Sequence, residues 1–199
     1  MNYLLVGNGP TQNLAYASDA SDSIVQINTC RHAAKLPVDK THHIFISNMG
    51  NKVSEPMCAA IEQQRALLCH ATVMLGRNPS FYASKRAVLQ LQDWSDERLD
   101  YRLTDAWRTL APRWRIERVS LLASVRLEFQ LRQLGMRQAS MPSSGMIAYD
   151  WLLRRLKPGD TITIEGFTFE GWHGHPWAIE RNLIRTINDL PPTSGARRE

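Results

Sequence analysis

The chain has no long apolar run. Its opening, MNYLLVGNG, carries no basic residue ahead of the apolar stretch, Gly7 and Asn8 interrupt that stretch, and no later run approaches a membrane span in length. Neither a secretory leader nor insertion into a bilayer is expected. The expected location is the cytoplasm, with peripheral attachment to the inner membrane surface as its variant. Cysteine is scarce too. Cys30, Cys58 and Cys69 are odd in number and lack metal-ligand spacing, which argues against a disulfide framework and suits reduced thiols. No D-x-D occurs, no internal repeat, and no extended low-complexity segment.

What is present belongs to a folded globular protein. The 199 residues suffice for one well-filled core, and six tryptophans make disorder an unsuitable description outside the tail. A single domain over 1–190 with a flexible tail over 191–199 is expected. The formal charge is +5, and between Arg108 and Arg137 seven arginines meet only two acids, Glu117 and Glu128. Such a patch favours an anionic partner and reads equally as a solvated helix face. No recognition motif accompanies it, so specific nucleic-acid binding is not expected.

Short β-branched runs that end in turn residues recur along the first half. Tyr3–Val6, Ser23–Asn28, His42–Asn48 and Ala71–Pro79 read as strands, with VSEPMCAAIEQQRALL between the last two suited to a helix. That alternation predicts an α/β fold: a Rossmann-like, mostly parallel sheet flanked by helices. Ser84 to Leu134 reads as largely helical, including the amphipathic SLLASVRLEFQLRQLG ended by Gly135. Pro142 and two serines then open an apolar helix closed by Lys157, Pro158 and Gly159. TITIEGF follows as a strand, and Pro176 opens a final helix.

Several segments could carry chemistry. VGNG after the first strand looks like a dinucleotide turn, yet Gln12 stands where the third glycine belongs and the second strand ends in Asn28 rather than an acid. What remains is a turn whose N–H groups, with the Asn8 side chain, could approach a phosphate or sugar, or a tight turn that simply needs glycine. Ser143, Ser144 and Gly145 stand where a helix begins, which makes either an anion seat or the commoner ordinary cap. His173 and His175 lie two apart on a glycine-flanked loop. They could share proton-transfer work, cap a helix or simply stand in water as polar groups, and no spaced third ligand supports zinc. His42, His43 and His70 are given no role. The functional segments all fall at strand ends or helix starts, the edge of an open α/β sheet where ligands bind.

Taken in order, VGNG, DSIVQIN, PSSG before an apolar helix, IEGF, and H-x4-E from His175 to Glu180 resemble the motifs of the sialyltransferase family, glycosyltransferase family 29. The resemblance is to a compact bacterial-type relative. It implies a GT-A variant of the fold and an inverting, metal-independent glycosyltransferase without a cofactor. The enzyme would move an acidic sugar, sialic acid or Kdo-like, from a CMP-activated donor to a glycan or lipid-linked glycan acceptor. By that resemblance Asn8, Gly9, Asn28, Ser143, Ser144 and Gly145 would hold the nucleotide and phosphate. His175 would act as general base, His173 would steady the leaving phosphate, and Glu180 would brace the helix. Two other readings remain open: a non-catalytic nucleotide- or sugar-nucleotide-binding accessory protein on the same fold, and an oxidoreductase binding NAD.

Overall fold

The computed structural model describes residues 1–47, 51–68, 70–90, 110, 114–138, 140–171 and 173–188. In chain order the elements are β1 (Asn2–Val6), α1 (Leu14–Asp19), β2 (Ser23–Ile27), β3 (Thr41–Ile46), α2 (Asn51–Gln63), β4 (Thr72–Leu75), α3 (Pro79–Gln90), β5 (Arg115–Arg118), α4 (Leu121–Gln133), α5 (Ser144–Leu153), β6 (Thr161–Glu165) and α6 (Trp177–Asn188). The expected tail over 191–199 lies outside the described residues.

All six strands form one sheet in the order β5-β4-β3-β2-β1-β6, and every neighbouring pair is parallel. The α/β parallel-sheet expectation therefore holds. From β1 the chain steps outward strand by strand to β5, then returns across the sheet to lay β6 on the far side of β1. That reversal makes the carboxyl ends of β1 and β6 the switch point of the sheet, where ligands of such folds usually sit.

Side chains alternate between two covered faces, as a parallel sheet requires. Tyr3, Leu5, Val25, Ile27, Phe45 and Met74 point to the face covered by α4, α5 and α6. On the other face Leu4, Val6 and Ile24 meet Leu14 and Ala17 of α1, while Ile44, Ile46, Val73 and Leu75 meet Cys58 and Ile61 of α2. The result is a three-layer sandwich. α5 packs on β1, β2 and β3 and is buried from Ser144 to Leu152, which explains why its sequence is apolar all round.

One expectation needs correction. The tract from Ser84 to Leu134 is not uniformly helical, because Arg115–Arg118 pairs in parallel with β4 as an edge strand. RIER has no apolar run and is hydrogen-bonded on one side alone, so neither periodicity nor β-propensity announces it. Ser120 then caps α4 by accepting from the Ala123 N–H, and Gly135 takes a φ of +95° just past the helix end.

Candidate functional site: the switch point of the sheet

The turns after β1 and β6 interlock. Gly7 N–H donates to the Glu165 carbonyl and Gly9 N–H to the Gly166 carbonyl, both at 2.9 Å. A methyl group at Gly7 would collide with the Gly166 carbonyl, and one at Gly9 would press on Thr168 and on that same carbonyl. The glycines of VGNG therefore let two backbones touch. Gln12 N–H is likewise engaged, by the Glu165 carboxylate at 3.1 Å.

The two asparagines extend this stitching along the sheet edge. Asn8 donates from its amide to the Ile27 carbonyl at 2.9 Å, and its oxygen accepts from Thr29 Oγ1 at 3.2 Å and Arg31 N–H at 3.3 Å. The turn after β1 is thus fastened to the turn after β2. Asn28, with φ +53°, accepts from Ser47 N–H at 3.1 Å and so fastens β2 to β3. Asparagine tolerates this left-handed backbone better than most residues, which suits it to ending β2 here.

The start of α5 is filled from within. Ser143 Oγ accepts from Met146 N–H at 3.0 Å as a regular cap and donates to Glu180 at 2.7 Å, while Ser143 N–H reaches the other Glu180 oxygen, also at 2.7 Å. A carboxylate from the first turn of α6 therefore occupies the positive end of α5, where an external anion would otherwise be held. Burial raises the Glu180 carboxyl to about 7 against the lowering pull of the Ser143 donors and of Arg77. Ser144 is buried, and Gly145 is covered by the Phe167 ring, whose edge a Cβ would meet at 2.5 Å.

The histidine loop is bound to the same region. Met141 N–H donates to the Gly174 carbonyl at 2.9 Å, and His175 Nδ1 lies 2.8 Å from the Met141 carbonyl. A carbonyl only accepts, so Nδ1 carries the proton and Nε2 the lone pair. Desolvation, helped by Arg77, lowers the ring to about 4. His175 is therefore neutral across the physiological range, with its edge against Trp177 at a centroid distance of 4.9 Å. His173 is exposed on the loop, and Trp172 beside it lies outside the described residues.

The segments singled out in the sequence thus meet, and they meet one another. VGNG touches EGF, EGF covers SSG, SSG is tied to Glu180, and the histidine loop hangs from Met141. The described residues hold no group of three or more histidine, cysteine, aspartate or glutamate side chains able to bind a metal. Cys30 is buried and its thiol is pushed well above the ordinary range, which leaves it protonated and unreactive.

Sequence reasoning missed a buried ionic cluster beside this site. Lys85 Nζ on α3 donates to Glu128 of α4 at 2.7 Å, and Arg132 reaches the same carboxylate oxygen at 2.9 Å. Desolvation lowers Lys85 to about 8 despite its acidic partner. Arg77, buried just past β4, donates to Tyr82 Oη at 2.7 Å and sends its field to His175 and Glu180. One signal was available: Glu128 sits between Leu127 and Leu131 on the inward stripe of α4, where an acid requires a buried partner.

The chain is 28% identical over 200 aligned positions to the urease operon 23 kDa accessory protein of Rhizobium meliloti (strain 1021), a match covering 92% of this chain and 87% of that protein. No family model matches the sequence, and no solved structure matches it. This whole-length likeness overturns the sialyltransferase resemblance, which rested on five short segments. With it go the glycosyltransferase activity, the CMP-sugar donor and the glycan acceptor; the GT-A variant of the fold rested on the same resemblance and is set aside with it. The physical reason lies in the motifs: in VGNG and PSSG they hold backbones and a capping carboxylate together, a requirement that unrelated α/β chains share. Among the described residues no helix is long and apolar enough to cross a membrane.

Proposed function

We propose that this protein is a non-catalytic accessory protein of a urease system, acting in the cytoplasm by binding a protein partner. The observation that carries the reading is the extent of the likeness to the Rhizobium meliloti accessory protein, which runs through nearly the whole of both chains. Correspondence on that scale follows a fold and its surface rather than one motif.

The geometry supports the same direction. The N–H groups of Gly7 and Gly9, the Asn8 amide, the Ser143 hydroxyl and the Glu180 carboxylate all spend their hydrogen bonds on the chain's own atoms. In this reading Asn8, Gly9 and Asn28 fasten the sheet edge, and Ser143, Ser144, Gly145 and Glu180 fix the start of α5. His175 ties its loop to Met141, and His173 stays at the surface. Residues 1–190 act as one domain. The nucleotide-binding form of the accessory reading has less support, because Glu180 already fills the seat a phosphate would take.

Co-expression of the affinity-tagged chain with the urease subunits of its own organism tests the proposal. Recovery of urease subunits with the tagged chain, in fixed proportion through a second sizing step, is the expected result. A chain that emerges alone at every concentration would count against it.

A further inference from the structure

α4 is apolar on two sides. Leu127 and Leu131 are buried and Ala123 packs against the same core, while Leu121, Leu122, Val125 and Phe129 are exposed. Leu122, Val125 and Phe129 follow at i, i+3 and i+7, and Leu121 stands four before Val125. At about 100° per residue the four fall in one stripe roughly 100° wide, turned away from Leu127 and Leu131. Leu134 at the helix end is exposed as well. Five of the eight exposed large apolar side chains among the described residues therefore belong to this segment, with Leu122 at 77% and Phe129 at 60% exposure. Single exposed leucines need no explanation, but a continuous stripe of them marks a surface that is covered in use.

On α4 itself the exposed charge has one sign. Arg126 flanks the stripe and Arg137 is exposed just beyond the helix, while Arg132 at its C-terminal end is engaged with Glu128. The helix's one acid, Glu128, is turned inward to Lys85. We propose that this face of α4 docks an amphipathic helix of a partner protein, apolar along its ridge and lined with carboxylates at its rim; the inference rests on the accessory-protein reading and assigns that role its surface.

Charge decides among the occupants. A second copy of the chain would set these arginines against their own counterparts, with no exposed acid on α4 to meet them and a net charge of +5 on each chain. An anionic membrane would gain little, because two arginines beside a short stripe are fewer than the basic clusters that hold a chain at such a surface. A carboxylate-rimmed helix satisfies both stripe and rim. The 13 residues of α4 make a face about 20 Å long, the span that a helix of three to four turns lays down in a groove or along a neighbour.

The test uses the full chain, the purified urease subunits of its own organism, and synthetic peptides tiling the helices of those subunits. Leu122→Ser with Phe129→Ser removes the apolar ridge, and Arg126→Glu with Arg137→Glu reverses the rim; all four sites are exposed, so melting temperatures should stay near that of the parent. Binding is read by sizing for the subunits and by fluorescence anisotropy for the peptides. The expected result is a loss of affinity of at least about 100-fold for the serine pair and about 10-fold for the glutamate pair. The glutamate effect should shrink in high salt. Variants that bind the subunits as tightly as the parent would overturn the docking face while leaving the accessory role standing. A parent chain that binds no subunit and no peptide would overturn both. Sedimentation of the chain alone and flotation with phosphatidylglycerol vesicles complete the set: α4-dependent dimers or vesicle binding, in place of subunit binding, would overturn the assigned occupant.

Discussion

Ser143 and Glu180, 37 positions apart, share two hydrogen bonds of 2.7 Å, one from the serine N–H and one from its hydroxyl. They join the start of α5 to the first turn of α6 in a buried setting. Ser143→Ala should cost about 1 kcal/mol for the lost cap. Stranding one oxygen of a buried carboxylate adds about 1 to 3 kcal/mol. A total of about 2 to 4 kcal/mol in urea unfolding is therefore expected. Glu180→Gln keeps one acceptor and should cost less. A Ser143→Ala loss within about 0.5 kcal/mol of zero, the range of ordinary surface changes, would show that the pair does not fix α5.

Two groups, Glu180 buried and His175 half-buried, titrate against each other. His175 is held at about 4 where an unfolded histidine sits at 6.5, and Glu180 is lifted to about 7 from 4.5. From 4 to 6.5 the unfolded chain takes up a proton on His175 that the folded chain refuses, so this contribution makes stability rise with pH. From 4.5 to 7 the folded chain keeps a proton on Glu180 that the unfolded chain releases, so that contribution makes stability fall with pH. They oppose each other over one window. Relative to the parent, His175→Gln should lose stability as pH rises through this window, and Glu180→Gln should lose stability as pH falls through it. Urea midpoints measured from pH 4.5 to 7 check both slopes, and parallel curves for all three proteins would refute the assignment.

Gly7 tests whether VGNG exists for packing. Gly7→Ala should destabilise by more than about 3 kcal/mol, beyond the usual cost of an added methylene, because the obstacle is the Gly166 carbonyl and not a side chain that can turn away. Gly135→Ala meets nothing within 4 Å and suffers only from its φ of +95°, a loss of about 1 kcal/mol. Thermal melts of the two variants should differ clearly, and equal losses would mean that the β1 and β6 turns do not hold each other.

The Lys85–Glu128 pair should behave as a buried ion pair does. Lys85→Met leaves Glu128 facing Arg132 alone and should cost about 3 to 5 kcal/mol. Replacing both partners, Lys85→Met with Glu128→Leu, should recover most of that loss. A double variant no better than the single one would show that the cluster does more than satisfy itself.

Much of the fold is legible in the sequence because the central strands are short β-branched runs: YLLV, SIVQI and HHIFI each end at a turn residue, and the parallel α/β class follows from their alternation with helices. RIER escaped because its pairing comes from β4 and not from its own composition. The site divided in the same way. That VGNG, PSSG and the histidine loop meet at the sheet edge was readable from strand ends and helix starts. That Gly7 meets Gly166, and that Glu180 fills the start of α5, was not, since both are contacts between distant segments. The exposed stripe on α4 was hidden for a simpler reason: SLLASVRLEFQLRQ reads as amphipathic, and periodicity alone does not say that Leu127 faces the core while Phe129 faces outward.

The most direct measurement is urea hydrolysis in a host whose copy of this gene is deleted, complemented in turn with the parent chain, with His175→Gln and with nothing. An accessory, non-catalytic protein predicts that activity falls sharply on deletion and returns fully with the parent. It also predicts an equal return with His175→Gln, whose amide can still donate to the Met141 carbonyl. Unchanged urea hydrolysis in the deletion strain would contradict the urease assignment, and a folded His175→Gln protein that restores nothing would contradict the non-catalytic one.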